Sequence, residues 1–215
     1  MQEIIKYLDD FVSTRAMGCY AWEEATRPND CVNTPFGQGG TYYYTIQQSR
    51  KEIYKLIEIL LGFEPRDIIL ETGAGEWGAT HYLWRALFDR VITVECSKPI
   101  IDKLSYPVDE RSHFIIKDSR QALDDVLKIT DQVDVLFLDS DHTYQVLYDE
   151  YKLYYPLVRN GGMIIFHDSL SPLHPDVNIF LQDLVKGNID QKFHELQTID
   201  NSPGLKIGIS YEYNI

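Results

Sequence analysis

The sequence predicts an α/β fold built on a doubly wound, mostly parallel sheet, and three observations predict it. Short apolar runs recur from residue 68 onward, helical stretches separate them, and no shift in composition marks a second domain. The runs are Ile68-Ile69-Leu70, Val91-Ile92-Thr93-Val94, Phe114-Ile115-Ile116, Val135-Leu136-Phe137-Leu138 and Met163-Ile164-Ile165-Phe166. Runs this short and this rich in branched side chains suit strands buried on both faces.

The elements follow in order. Residues 2–13 repeat Ile4, Ile5, Leu8, Phe11 and Val12 with a helical period and one apolar face. Residues 18–44 then mix Gly, Pro and Asn with many aromatics, ending in Gly37-Gln38-Gly39-Gly40-Thr41-Tyr42-Tyr43-Tyr44. This is loop composition, read either as a strap packed on the domain or as a lid with glycine hinges and tyrosine contacts. A helix over 45–62 carries Ile53, Leu56, Ile57, Ile59, Leu60 and Leu61, and Gly62 stops it. Further helices are expected near 78–88, 99–104, 119–128 and 143–158. In the last of these Tyr148, Tyr151, Tyr154 and Tyr155 have the spacing of packing residues. Gly161-Gly162 turns the chain into the fifth strand. Two extended runs, 193–198 and 205–211, flank Asp200-Asn201-Ser202-Pro203-Gly204 and predict an antiparallel pair closing the sheet edge. One domain over 1–215 results, with 1–45 as N-terminal helix and strap or lid, and 46–215 as core.

Charge narrows the partners. The formal net charge is −13 and no basic cluster interrupts it. Nucleic-acid binding rests on phosphate neutralisation by Lys and Arg, so the balance argues against nucleic acid and against an anionic membrane surface. A small molecule is the expected partner. No apolar run approaches the roughly 18 residues of a membrane helix, and Met1-Gln2-Glu3-Ile4-Ile5-Lys6 lacks the basic-then-apolar order of a signal peptide. Cys19, Cys31 and Cys96 are odd in number and lack metal spacing, which fits reduced thiols in a cytoplasmic protein. The aromatic N-terminal strap is suited to pack across a homo-oligomer.

In an open parallel sheet, ligands bind outside the carboxyl ends of the strands. The residues just after the five apolar runs are Glu71, Glu95, Asp118, Asp139 and Asp168, all acidic. Any one of them could cap a helix, but capping would also favour Ser, Thr and Asn. The first strand runs into Glu71-Thr72-Gly73-Ala74-Gly75-Glu76-Trp77-Gly78, a glycine-rich turn opening a helix and suited to close backbone approach by a ligand. Glu95, ending the next strand, is placed to accept both hydroxyls of a ribose, which points to an adenosine cofactor. A carboxylate at Glu71 would repel a pyrophosphate and attract a sulfonium. Asp118-Ser119 either meets the adenine or caps the helix that starts there.

Ile69-Leu70-Glu71-Thr72-Gly73-Ala74-Gly75 with Val94-Glu95 resembles the cofactor half of class I S-adenosylmethionine-dependent methyltransferases. The second half, Val135–Tyr144 and then Pro156–Asp168, is similar to the branch containing sugar O-methyltransferases of macrolide and aminocoumarin biosynthesis and cephalosporin-hydroxylase-like proteins. The resemblance covers about 65–215 and implies a Rossmann-like seven-stranded sheet. It implies O-methylation of a hydroxyl on a small molecule such as a sugar, assisted by Mg²⁺. In that reading Glu71, Gly73, Gly75 and Glu95 hold S-adenosylmethionine, Asp118 and Ser119 lie near the adenine, and Asp139 faces both cofactor and metal. Asp139 and Asp168 hold Mg²⁺, with Asp141 or His167 as a third ligand, because related proteins often carry an acid where His167 stands. Asp139 is a candidate proton acceptor. His142 reads first as the start of the next helix and second as a catalytic base. His174 is expected to serve its loop, and 18–44 and 169–180 to shape the acceptor pocket. The rival readings are an NAD-dependent oxidoreductase, which the acidic rim disfavours, and a non-catalytic S-adenosylmethionine-binding protein, which would need no metal site.

Overall fold

A computed structural model describes residues 1–4, 6, 50–74, 78–97, 109–190, 193–198 and 206–210. Most of the 2–13 helix, the strap or lid at 18–44, Gly75, Glu76, the 99–104 helix and the 200–204 turn lie outside the described residues, as do Cys19 and Cys31.

The strands are β1 (Ile68–Thr72), β2 (Arg90–Glu95), β3 (Ser112–Ile116), β4 (Val133–Leu138), β5 (Val158–Phe166), β6 (Phe193–Thr198) and β7 (Lys206–Ser210), in the spatial order β3-β2-β1-β4-β5-β7-β6. The first five run parallel. β7 pairs antiparallel with β5 and with β6. Strand order reverses beside β1, whose neighbours β2 and β4 lead away in opposite directions. That divergence opens a crevice at the carboxyl ends.

Side-chain alternation along the strands builds one core on each face. Ile69, Val91, Val135, Phe137, Met163 and Ile165 pack with Leu56, Leu60 and Trp84 from α1 (Arg50–Leu61) and α2 (Ala79–Leu87). Leu70, Ile92, Leu136, Leu138, Ile164 and Phe166 pack on the other face with side chains of α3 (Leu123–Leu127), α4 (Tyr144–Tyr154) and α5 (Pro175–Val185). Covering both faces is what permits the unbroken apolar runs, and all six residues of β4 are buried. Tyr151 and Tyr154 are buried in the second core, the packing role their spacing predicts.

Three elements differ from expectation. The helix expected over 119–128 is a 3₁₀ turn, Ser119–Gln121, followed by the short α3. The helix expected to 158 ends at Tyr154, because Pro156 lacks an N–H to continue it, and β5 starts early at Val158. The region after Asp168, read as loop, contains α5 with Pro175 in its first turn, a favoured position, and Val177, Phe180, Leu181 and Leu184 inward. No described helix is long and apolar enough to cross a membrane.

Candidate active site

A cleft of about 960 Å³ opens at the carboxyl ends of the parallel strands. Gly73, Glu95, Asp118, Ser119, Asp139, Asp141, His142, His167 and Asp168 all line it, as sequence placed them. Glu71 does not. Gly75 is outside the described residues.

Gly73 fixes where the two halves of the site meet. It sits at φ +83, and a Cβ there would lie 2.1 Å from the Asp139 carbonyl oxygen. Its N–H donates to Val94 O at 2.9 Å, and the Asp139 N–H donates to Thr72 O at 3.0 Å. Strands β1, β2 and β4 are thereby tied together at the cleft floor. Glu95 accepts from the Ala74 N–H at 2.9 Å and from the Ser97 N–H at 2.8 Å, which holds its carboxylate against the glycine turn. A carboxylate offers about four lone-pair sites, so acceptor capacity remains toward the cleft.

Glu71 points away, under α2. It is fully buried and accepts from Trp84 Nε1 and Thr93 Oγ1, each at 2.8 Å. Burial pushes its carboxyl up to about 8, against hydrogen bonds from Thr80, Thr93 and Trp84 that lower it. A group held neutral below the cleft floor supplies no negative charge to a sulfonium, which corrects the attraction assigned to it from sequence. Asp118 caps the 3₁₀ turn, accepting from the Arg120 N–H at 3.0 Å, and it pairs with the Arg120 side chain at 2.7 Å. Those hydrogen bonds, with the positive charge of Arg120, hold its carboxyl below the usual range. The capping alternative is the one observed. Ser119 is buried beside it and accepts at its carbonyl from the Tyr154 hydroxyl.

The strand ends of β4 and β5 carry the densest chemistry. His167 Nδ1 lies 2.7 Å from Asp139 Oδ1, and His142 Nε2 lies 3.4 Å from the same oxygen and 3.5 Å from Asp168 Oδ2. His174 Nε2 lies 3.3 Å from Asp168 Oδ2, with its ring stacked on His142 at 4.2 Å. Two triads with metal-ligand proximity result, Asp139–His142–His167 and His142–Asp168–His174, the donor atoms of each within 4.8 Å of one another. The two aspartates therefore meet through His142. Burial would push the His167 imidazole down, but the Asp139 carboxylate outweighs it and holds the ring at about 9. Burial likewise raises Asp139, and His167 and His142 more than reverse this. Asp168 adopts φ 52, a left-handed conformation rare for a side chain larger than glycine and typical of functional sites.

Asp141 belongs to neither triad; it is exposed and accepts from the Thr143 N–H at 2.9 Å, ahead of α4. Sequence reasoning assigned His174 to its loop and did not single out Glu150. His174 faces the site because the chain folds back before α5, and its only local signal is the His-Pro-Asp helix start. Glu150, buried on α4, accepts from Thr72 Oγ1 at 3.2 Å and from Ser140 Oγ, bracing the ends of β1 and β4. An acid between the apolar positions Leu147, Tyr151 and Tyr154 was the signal that could have found it.

Comparison with known proteins gives the family and the fold. A family model described as a methyltransferase domain matches residues 40–169. An uncharacterized protein of Acanthamoeba polyphaga mimivirus is 36% identical over 78 residues, 34% of this chain and 35% of its own length. The O-methyltransferase NovP matches with TM-score 0.63 at 18% identity, over 98% of this chain and 99% of that one. MycE methyltransferase from the mycinamycin biosynthetic pathway, in complex with Mg, SAH and mycinamycin VI, matches with TM-score 0.54 at 14% identity. That match covers 68% of this chain and 45% of MycE, so the chain spans about a third of the viral relative and under half of MycE. At these identities the two structural likenesses are of fold.

Proposed function

The chain belongs to the methyltransferase-domain family, and we propose that it transfers a methyl group from S-adenosylmethionine to a hydroxyl of a small polar molecule such as a sugar, assisted by a divalent cation. The observation that carries this is the convergence, in one cleft, of a glycine turn with no room for a Cβ and a cluster of aspartate and histidine donors. NovP, named an O-methyltransferase, shares the fold, and MycE carries Mg and SAH in its complex, which supports both the cofactor and the cation.

The residues present fit the cofactor. Gly73 leaves its backbone open to close approach, Glu95 lines the cleft with acceptor capacity for ribose hydroxyls, and Ser119 lines it where the adenine would lie. S-adenosylmethionine supplies a methyl carbon on a sulfonium, whose C–S electron pair stays with sulfur as the new C–O bond forms. They also fit a cation: His142 Nε2 and His167 Nδ1 are buried nitrogens converging on Asp139 Oδ1, at 3.4 and 2.7 Å. Asp139, Asp168 and His167 would hold it, and it would lower the pKa of the acceptor hydroxyl. Magnesium is the ion carried over from the sequence reading. His142, half-buried between the two aspartates, takes the hydroxyl proton. Alignment of acceptor and methyl group, with water kept out, supplies most of the rate.

Calorimetric titration with S-adenosylhomocysteine, paired with turnover of Asp139→Asn, tests the split of roles. The variant should lose turnover by roughly a thousandfold or more, since it removes a cation ligand and the carboxylate that holds the proton-accepting His142 in place. Its affinity for S-adenosylhomocysteine should stay within a few-fold of wild type. Loss of that affinity along with turnover would place Asp139 in cofactor binding instead.

A further inference from the structure

Both candidate triads have the same composition, two imidazoles and one carboxylate. Whichever one a cation occupies, imidazole nitrogen stands among the protein donors. His167 is the most firmly fixed of these nitrogens. The residue is 7% exposed, and its backbone N–H donates to Leu138 O at 3.1 Å across the seam between β4 and β5. The ring has little freedom to turn away from Asp139. Its Nδ1 lies 2.7 Å from Asp139 Oδ1. Two donors about 2.1 Å from one ion stand about 3 Å apart, with their lone pairs aimed at the ion and not at each other. The Nδ1–Oδ1 separation is close to that spacing.

Resting on the methyl-transfer reading, we propose that the cation of this site is a borderline transition ion, of the Mn²⁺, Co²⁺ or Zn²⁺ class, taken in preference to Mg²⁺, with His167 Nδ1 as an inner ligand beside Asp139. Magnesium is a hard ion that demands oxygen ligands in near-ideal octahedral geometry and sheds water reluctantly. Imidazole suits the later divalent ions, whose affinity for a mixed nitrogen and oxygen site rises along the series. His142 remains free to take the proton, since His167 alone brings nitrogen into the ligand set. His174, stacked on His142 and 3.3 Å from Asp168, places a further imidazole in the same cleft.

The test is competition calorimetry on the full chain with S-adenosylhomocysteine present, Mn²⁺ against Mg²⁺, in wild type and His167→Asp. Wild type should prefer Mn²⁺ by about 100-fold, and the added carboxylate should cut that ratio at least about tenfold, the range over which a single group tunes metal affinity. Pulsed electron paramagnetic resonance of Mn²⁺-loaded wild type should show directly bound ¹⁴N, a readout that does not depend on how well the variant folds. Mg²⁺ affinity close to that of Mn²⁺, an unmoved ratio in the variant, or no bound nitrogen would each overturn the proposal. If S-adenosylhomocysteine binds and no cation does, the ion falls while the cofactor reading stands. If nitrogen-bound Mn²⁺ is found without S-adenosylhomocysteine binding, the methyl-transfer reading falls instead.

Discussion

Single residues decide the shape of the cleft floor, and Gly73 decides most. At φ +83 any side chain is strained, and a Cβ would also press on Asp139 O at 2.1 Å and Ser140 Cα at 2.9 Å. Both obstacles are backbone, so neither can rotate aside. Gly73→Ala should therefore cost about 3 kcal/mol, combining backbone strain with overpacking, and should weaken S-adenosylhomocysteine binding by separating β1 from β4. Urea denaturation measures the first effect and calorimetry the second; a variant as stable as wild type would contradict the contact. Glu71 makes a different prediction. Its folded pKa, about 8, lies above the ordinary 4.5, so the folded state holds a proton that the unfolded state releases between those values. The stability this contributes is complete below about 4.5, shrinks across the window, and is gone above about 8. Glu71→Gln has no proton to lose. Its neighbours tolerate the amide, because Thr93 can turn its hydroxyl to His81 Nδ1, 2.7 Å away, on a ring whose burial keeps it neutral. The variant should gain on wild type as pH rises from 5.5 to 8.5. A stability difference that stays flat with pH would show Glu71 ionised throughout.

At the scale of elements, the end of the sheet opposite the cleft carries a clamp. Asp134, on β4 and 5% exposed, accepts from the backbone N–H groups of Asp67 and Ile68 at 2.9 and 2.8 Å, and its other oxygen accepts from Arg159 Nε on β5. Arg159 in turn donates to Glu64 O at 3.1 Å and lies over the Phe63 ring. One buried carboxylate thus aligns the entry to β1 with β4 and β5. Asp134→Ala should cost about 3–5 kcal/mol, because it strands a largely buried guanidinium and two backbone donors. S-adenosylhomocysteine affinity at the far end should hardly change, and chemical denaturation beside calorimetry would separate the two. Nothing local announces this clamp, since its partners stand 67 and 25 residues apart in sequence. The parallel core was legible for the opposite reason: strands such as Val135–Leu138 state their burial in consecutive residues. Asp139 and Asp168 were legible as the acids following such runs. His174 was not, because its place depends on how the chain folds back before α5, and Glu71 was misplaced because alternation along β1 turns it away from the cleft. Helix α5 escaped notice although its apolar positions have helical spacing, since Leu170-Ser171-Pro172-Leu173-His174-Pro175 reads as loop and hides the start.

For the whole molecule, topology and charge act together. The order β3-β2-β1-β4-β5 puts the glycine turn and the histidine–aspartate cluster on the two sides of one crevice, so a single ligand can touch both. Around that crevice lie Glu95, Asp118, Asp139 and Asp168, part of the acidic excess that puts the chain at −13. A ligand bearing a sulfonium and amino group, or its neutral thioether product, enters this field without penalty, whereas the pyrophosphate of NAD meets a lining in which carboxylates outnumber Lys117 and Arg120. Binding only to the folded state at about a hundred times Kd adds about 2.7 kcal/mol of stability. For a chain of this size that raises the melting temperature by roughly 5–10 °C. S-adenosylhomocysteine should produce a shift of that order in a thermal melt, and NAD at the same concentration should produce none. Because both share an adenosine, an equal shift would mean that the cleft reads adenosine alone and that its acidic rim plays no part in selection. A shift with NAD only would remove the methyl-donor assignment and leave Gly73 and Glu95 as parts of a dinucleotide site.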